Sequence, residues 1–448
     1  MNIIIVGAGE IGRHLAGSLS SAAHNISVIE QDDSLATELS NQIDARVVCG
    51  DGASVNILVE ANVGECELFL ALTSNNNSNI VACSIAKQLG AQKTICRVDP
   101  GLQREEWLFD HCGHFQIDHL FSSERLAGVE LSKFIRNPES ITIDEIARGR
   151  IELQQIIVSD RSEAVGKSLR EIKLPPRVRI GSITRKDEAL IPTADEVILA
   201  GDYVTLFGEP RKLSAIVDLL QKSPSDKEKK INVVILGGGE YGGTLAEMLQ
   251  SWNCRVRIFE QDPAVCETLT ELLVDTTVIN ADATSISELR EEQVGDADFF
   301  VATTQSDQDN VMTCLQANNL GTKRCLTLIH RTDYADAISQ AGAQLGIMAA
   351  VSPREVTRRE LMRFITSDRY HVVKKLKAGE VIEVTLDEKS AVIGKRVNEI
   401  AWPEGCGLVA LLHGIHATVP AAEDVFAAGD TVYAIVSRKA LKKFLKLC

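Results

Sequence analysis

Long hydrophobic runs are the first thing this chain lacks: no apolar stretch approaches the ~20 residues of a membrane-spanning helix. A basic, signal-like N-terminus is missing too. MNIIIVGAGEIG reads as a strand entering a turn, so the expectation is a soluble, cytoplasmic protein. Basic charge is not in excess: 62 acidic groups against 47 basic ones leave −15, which argues against broad binding to nucleic acid or anionic lipid. No CxxC pair occurs among eleven cysteines. Most of them, such as Cys66, Cys83, Cys314 and Cys325, stand in apolar surroundings and read as buried thiols, not disulfides. His111, Cys112 and His114 offer three soft ligands on four residues. With no second cluster nearby in sequence they read as a polar loop or helix end, and no metal is expected. What remains is ordinary globular usage, 45% hydrophobic and 24% charged, which excludes disordered and fibrous classes.

The 448 residues suggest about three domains at roughly 150 residues each. An internal repeat with a period of about 230 residues changes that count. NIIIVGAGEIGRHLAGSL answers to NVVILGGGEYGGTLAEML, VIEQDDSLATEL to IFEQDPAVCETL, and LFLALTSNNNSNIVAC to FFVATTQSDQDNVMTC. QIDHLFSSERLAGVELSKFI answers to GIMAAVSPREVTRRELMRFI, and VGKSLREI to IGKRVNEI. Each half therefore holds a longer unit and a shorter trailing one, joined across the polar stretch 221–230. Four domains result: 1–123, 139–222, 231–353 and 370–448.

In the longer units short β-branched strands alternate with amphipathic helical stretches, the pattern of a doubly wound parallel sheet. The fold class expected is α/β: two Rossmann-like parallel-sheet domains, each followed by a small α+β domain with a short helix and a terminal strand (DYVTLF, DTVYAIV). Residues 124–137 and 354–367 are helical in pattern. Leu126, Val129, Phe134 and Ile135, like Val356, Leu361, Phe364 and Ile365, form an apolar stripe that suits either intrachain core or a subunit contact.

Gly7, Gly9 and Gly12 form a GxGxxG directly after a strand, and Gly237, Gly239 and Gly242 do the same in the second half. The first glycine permits the tight turn, the second lets a pyrophosphate approach the backbone, and the third allows close helix–strand packing. The following helix N-terminus presents unpaired N–H groups to the phosphates. An acidic residue, Glu30 or Glu260, stands 23 positions after the first glycine in both halves, where a carboxylate accepts hydrogen bonds from ribose hydroxyls. A lone GxGxxG is a weak signal that packing alone explains; its doubling with the carboxylate is not. A 2′-phosphate placed at ~4 Å from either glutamate costs ~4 kcal/mol at an effective dielectric near 20, so NAD(H), ATP or ADP is preferred over NADP.

Asp51 and Asp282 are either contacts at the adenine edge or caps of the next helix. Thr73 and Ser74, with Thr304 and Gln305, follow the fourth strand, where the crevice of an open parallel sheet lies. Arg97 and Arg331 follow the fifth and are read as reaching phosphate oxygens in preference to a surface ion pair. A catalytic set is not found. Tyr370 and Lys374 have the spacing of a common reductase pair, but lie in strand-like sequence and only in one half. The nucleotide therefore reads as a ligand, not a reactant; the rival reading is an NAD-dependent oxidoreductase. The carboxylates Asp296 and Asp298 read as a solvated turn.

Tandem GAGEIG and GGGEYG motifs, Glu30 and Glu260, and trailing GK…AGD modules resemble tandem RCK domains over essentially the whole chain, in the arrangement of the Trk-type potassium uptake regulators. The resemblance implies a homotetrameric ring of eight Rossmann units, peripheral on the inner face of the membrane, beneath a membrane-embedded potassium-translocating subunit. It implies NAD(H) and ATP or ADP as ligands, with a ring regulator of a potassium channel as the rival reading within the same resemblance. By residue-wise match it implies a binding set of Gly7, Ala8, Gly9, Glu10, Ile11, Glu30, Thr73, Ser74 and Arg97. In the second half the set is Gly237, Gly238, Gly239, Glu240, Tyr241, Glu260, Thr304, Gln305 and Arg331. Gln305 departs from the serine of the first half, and Asn280–Ala281 replace a Cys–Gly pair. The motifs do not assign NAD(H) to one half and ATP to the other.

Overall fold

The structure, a computed structural model, describes the chain except residues 21–23, 106–107, 137–141, 148–149, 187, 222–229, 283, 363, 366–369 and 414–415. The expected linker thus falls almost wholly outside the described residues.

The first half opens with β1 (Asn2–Val6), β2 (Asn25–Glu30), β3 (Arg46–Cys49), β4 (Leu68–Ala71), β5 (Lys93–Arg97) and β6 (His119–Phe121). They form a parallel sheet in the order 3-2-1-4-5-6. Both faces are buried, as a parallel sheet requires. Ile3 and Ile5 join Leu15 and Leu19 of the helix Glu10–Ser20 on one face, while Ile4 and Val6 join Phe69, Ile80 and Cys83 on the other. A small antiparallel sheet follows: β7 (Thr142–Ile146), β8 (Ile151–Ile157), β9 (Val178–Arg185), β10 (Glu188–Leu190) and β11 (Tyr203–Gly208), in the order 10-9-11-8-7.

The second half repeats this. Strands β12 (Ile231–Leu236), β13 (Cys254–Glu260), β14 (Thr276–Asn280), β15 (Phe299–Ala302), β16 (Arg324–Leu328) and β17 (Ile347–Val351) form a parallel sheet ordered 14-13-12-15-16-17. Strands β18 (His371–Leu376), β19 (Gly379–Thr385), β20 (Cys406–His413), β21 (His416–Thr418) and β22 (Thr431–Val436) repeat the small sheet, ordered 18-19-22-20-21. The α/β architecture with tandem duplication is as the sequence pattern predicts. One detail differs. No α-helix forms over VGKSLREI or IGKRVNEI, where Gly166 and Gly394 turn the chain at positive φ. The helix of each small domain instead follows the last strand, as Pro210–Gln221 and Leu441–Leu447, burying Leu213 and Ile216 in one case and Phe444 in the other.

The chain divides into two compact units, each drawing on both halves: residues 1–136 with 229–365, and 137–228 with 366–448. In the second, the inner faces of the two small sheets share a core that includes Leu153, Phe207, Val381 and Tyr433.

In the first unit the two apolar stripes find their partner. The first lies on the helix Ser123–Arg136. The second starts on the helix Pro353–Met362, shorter than the pattern predicts, and continues past its end to Phe364 and Ile365. Each segment enters the core of the opposite half. Ala127, Leu131 and Ile135 pack beneath the second sheet with Val233, Val256 and Leu245; Leu361 and Ile365 pack beneath the first with Ile3, Ile5 and Leu15. Ser122 caps the first of these helices by accepting from Arg125 N–H, and Lys133 and Arg136 complement the dipole in its last turn. The two helices also bond to each other, Thr357 Oγ1 donating to Ser123 Oγ. The stripes are intrachain core, exchanged between halves.

All eleven cysteines are free, and Cys66, Cys83, Cys314 and Cys325 are buried. His111, Cys112 and His114 lie on the short helix His111–Phe115, where the rings of His111, His114 and Phe115 surround Phe109. Asp298 is structural: it accepts from Asn232 N–H and pairs with Lys323 at 2.6 Å. No helix of the described residues is long and apolar enough to cross a membrane.

Candidate functional site

The glycine turns have the geometry their spacing implies. Gly7 and Gly237 hold φ of +97° and +94°, a region other residues enter at a cost. A Cβ on Gly12 or Gly242 would lie 1.9 Å from the carbonyl oxygen of Gly7 or Gly237, so helix and turn approach closely only without one. At Gly9 and Gly239 a Cβ would meet nothing within 4 Å: the space above the turn is open. That open space lies at the start of the helices Glu10–Ser20 and Glu240–Gln250, whose first N–H groups have no partner within the helix.

Each turn is answered by its glutamate. Glu30 accepts from Ala8 N–H at 2.6 Å through Oε2 and from Asp32 N–H at 2.9 Å through Oε1. Glu260 does the same with Gly238 at 2.7 Å and Asp262 at 2.8 Å. The carboxylates thus brace the turn while keeping lone pairs for ribose hydroxyls.

A cavity of about 630 Å³ opens over the first turn, within the usual range for a small-ligand site. Gly7, Gly9, Glu10, Ile11, Glu30, Asp51, Thr73, Ser74 and Arg97 line it. Ala8 is buried beneath and Gly12 serves packing. The opposite wall comes from the second half: Glu240, Tyr241, Gln305, His330, Pro353 and Arg354. Gly237, Gly238, Gly239, Gly242, Glu260, Asp282, Thr304 and Arg331 do not line this cavity.

Five carboxylates, Glu10, Glu30, Asp51, Glu124 and Glu240, meet two guanidiniums in it. Arg97 Nη2 lies 2.9 Å from Glu124 Oε1, a buried carboxylate that Ser122 Oγ also bonds. Arg354 reaches from the second half to Glu10 at 2.6 Å. Burial, and then the charges of Glu124 and Asp99, raises the Glu240 carboxyl above its usual range, and burial also pushes up the Tyr241 phenol.

Several readings need correction. Arg97 and Arg331 are not equivalent. Asn79 Nδ2 donates to Arg97 O and Asn310 Nδ2 to Leu328 O, so the position answering Arg97 is Leu328. Arg331 lies three residues later, ahead of the helix Thr332–Leu345, with its guanidinium on Asp333 at 2.7 Å and over the Tyr334 ring. Arg97, read as reaching phosphate oxygens, lines the cavity and is paired there with Glu124. Asp51 and Asp282 are not at the helix N-cap positions, which Ser54 and Ser285 occupy without a side-chain capping bond; each closes its own turn instead, accepting from Ala53 N–H or Thr284 N–H. Tyr370 and Lys374 belong to the small-domain unit, and neither lines the cavity.

Sequence reasoning missed Asn79 and Asn310. Each is buried and brackets the ends of two strands, accepting from Thr73 or Thr304 N–H and donating back to the same residue's carbonyl. Their signal was present, since both stand at the same place in the repeat. Arg354 and Glu124, also missed, occupy equivalent places in the repeat with opposite charge.

Two parallel Rossmann sheets, each trailed by a small antiparallel domain, define a duplicated RCK-type architecture. Comparison with known proteins agrees. The TrkA-N domain model matches residues 3–110 and 233–349, and the TrkA-C domain model matches 153–221 and 381–448. The Trk system potassium uptake protein TrkA of Halomonas elongata is 30% identical over 449 residues, covering 98% of this chain and 96% of that protein. The protein of the same name from Haemophilus influenzae is 30% identical over 450 residues with the same coverage. Among solved structures, the GsuK channel bound to NAD superposes with a TM-score of 0.61 at 20% identity, covering 99% of this chain and 78% of that one. GsuK bound to ADP gives 0.52 at 15%, covering 81% and 69%. The chain belongs to the TrkA family of Trk potassium uptake proteins.

Proposed function

We propose that this chain is the cytosolic, nucleotide-sensing subunit of a Trk-type potassium uptake system, and that it gates a membrane-embedded potassium-translocating partner. The observation that carries the reading is the cavity over GAGEIG, with open space at Gly9 and the Glu30 carboxylate beside it. The family's name and the NAD and ADP named for the GsuK structures support NAD(H) and ATP or ADP as ligands. The residues present fit such a group. Glycine backbone and the helix N-terminus would hold the phosphates, and Glu30 or Glu260 the adenosine ribose. We read the chain as four domains bounded near 1–123, 139–222, 231–353 and 370–448, assembling as a homotetramer on the inner membrane face.

Control of a gate requires only that the nucleotide bind one conformation better than another. A tenfold preference supplies ~1.4 kcal/mol per site, and four equivalent sites ~5.6 kcal/mol, about what moves an equilibrium from 1:99 to 99:1. Calorimetric titration of the purified chain with NADH, NAD, ATP, ADP and NADP, followed by potassium flux with the membrane subunit present, tests the reading. Stoichiometric binding with unchanged NADH is expected. Sustained oxidation of NADH with a carbonyl substrate would favour an oxidoreductase and end it.

A further inference from the structure

We propose that Arg354 is a phosphate-sensing residue delivered to the first cleft from the second half, and that it makes this cleft favour a nucleoside polyphosphate over NAD(H). The inference rests on the nucleotide reading of that cleft. An anionic ligand entering a cavity with five carboxylates needs a cation, and two guanidiniums are within it. They are not equally available. Arg97 is tied to Glu124, whose side chain is 9% exposed and bonded by Ser122, so the pair is costly to break. Arg354 is tied to Glu10, whose side chain is 62% exposed; a solvated pair of this kind exchanges partners cheaply. Arg354 Nε is moreover buried without a hydrogen-bond partner. A phosphate oxygen would satisfy that donor.

Position gives the ligand class. Glu10 opens the helix whose free N–H groups face the cradle, so Arg354 is held at the phosphate end of the cleft, not at the ribose end marked by Glu30. A terminal phosphate, as in ADP and more so ATP, adds negative charge there that the doubly esterified pyrophosphate of NAD does not supply. The exchange is mechanical as well as electrostatic. The helix Pro353–Met362 that carries Arg354 also sets Leu361 into the first core. In the repeat, Glu124 stands where Arg354 does, so the duplication supplies this arginine to the first cleft and not to the second.

The test uses the full chain carrying Gly239→Asp, which disables the second cradle at a position where a side chain has room. ATP, ADP and NADH are titrated calorimetrically. Adding Arg354→Gln is expected to weaken ATP about tenfold, ADP about threefold and NADH less than twofold, with Arg354→Lys recovering part of the loss. Glu10→Gln is expected to strengthen ATP about threefold, and that gain should vanish when combined with Arg354→Gln. Unchanged ATP affinity in Arg354→Gln overturns the proposal while leaving the nucleotide reading intact. Equal losses for ATP and NADH overturn it too, since that marks a change of cleft shape. Should the Gly239→Asp chain bind none of the three, the nucleotide reading of the first cleft fails and this inference with it.

Discussion

The two Rossmann halves share a backbone and differ in charge. Turn, helix, bracing glutamate and buried asparagine recur with nearly the same distances: 2.6 and 2.7 Å from the glutamates to the turn, 2.9 and 3.0 Å from the asparagines to the fifth strand. Yet Arg97 answers to Leu328, and Glu124 to Arg354. Duplication has kept what builds the cradle and varied what surrounds it. Two cradles made by one set of local rules therefore carry different charges at equivalent positions around them.

The largest expected effect breaks what the halves share, their exchanged helices. Leu131 and Leu361 are both fully buried, each in the core of the other half. Replacing either with alanine should cost about 3 kcal/mol. Hydrogen exchange gives the direction: Leu361→Ala should loosen β1 and β4, and Leu131→Ala should loosen β12 and β15. Loosening confined to the half that carries the substitution would contradict the exchange.

Next come the cradles. Gly9→Asp and Gly239→Asp each put a carboxylate where phosphate is expected, in space that accepts the side chain. About a hundredfold loss of nucleotide affinity is expected at the altered cleft, with the other unaffected. Wild-type titration curves from the Gly9→Asp protein would remove the assignment.

How much of this was legible beforehand follows from the kind of signal involved. The parallel sheets and the cradle were, because strand and helix periodicity and glycine spacing are local, and the repeat printed each twice. The destination of the apolar stripes was not. Leu131 and Leu361 declare that they are buried, but nothing in helical spacing says in which core. Arg97 and Arg331 were equated by residue type after a strand, whereas the asparagine bonds show that register, not type, decides equivalence. Arg354 escaped notice for a related reason: it reaches its cleft only through the fold, from a helix more than 340 residues downstream of Glu10.

A smaller effect sharpens the comparison at the ribose end. Glu30 and Glu260 carry equivalent bonds, so both clefts should disfavour NADP, by tenfold or more for an adenosine held within about 4 Å. Glu30→Gln should narrow the NAD to NADP ratio at the first cleft alone, read by titration in the Gly239→Asp background. An unchanged ratio would move the ribose away from Glu30.

The smallest effect lies where the halves have no counterpart. Glu355 pairs with Arg358 at 2.6 Å within its own helix and with His14 of the first half at 3.9 Å, and the position answering it in the repeat is Arg125. Burial alone would raise the Glu355 carboxyl, but the Arg358 and His14 contacts outweigh it and hold the group at about 2, against an ordinary 4.5. A carboxyl depressed in the folded chain binds protons more readily when unfolded, so its contribution is whole above pH 4.5 and fades as pH falls toward 2. The side chain is 40% exposed, so solvent screening holds that contribution below about 1 kcal/mol. Denaturant titrations at pH 6 and pH 3 should show Glu355→Gln losing less stability on acidification than the parent chain, by that margin. Equal acid sensitivity in both proteins would mean that the bridge between the halves at His14 and Glu355 contributes nothing to stability.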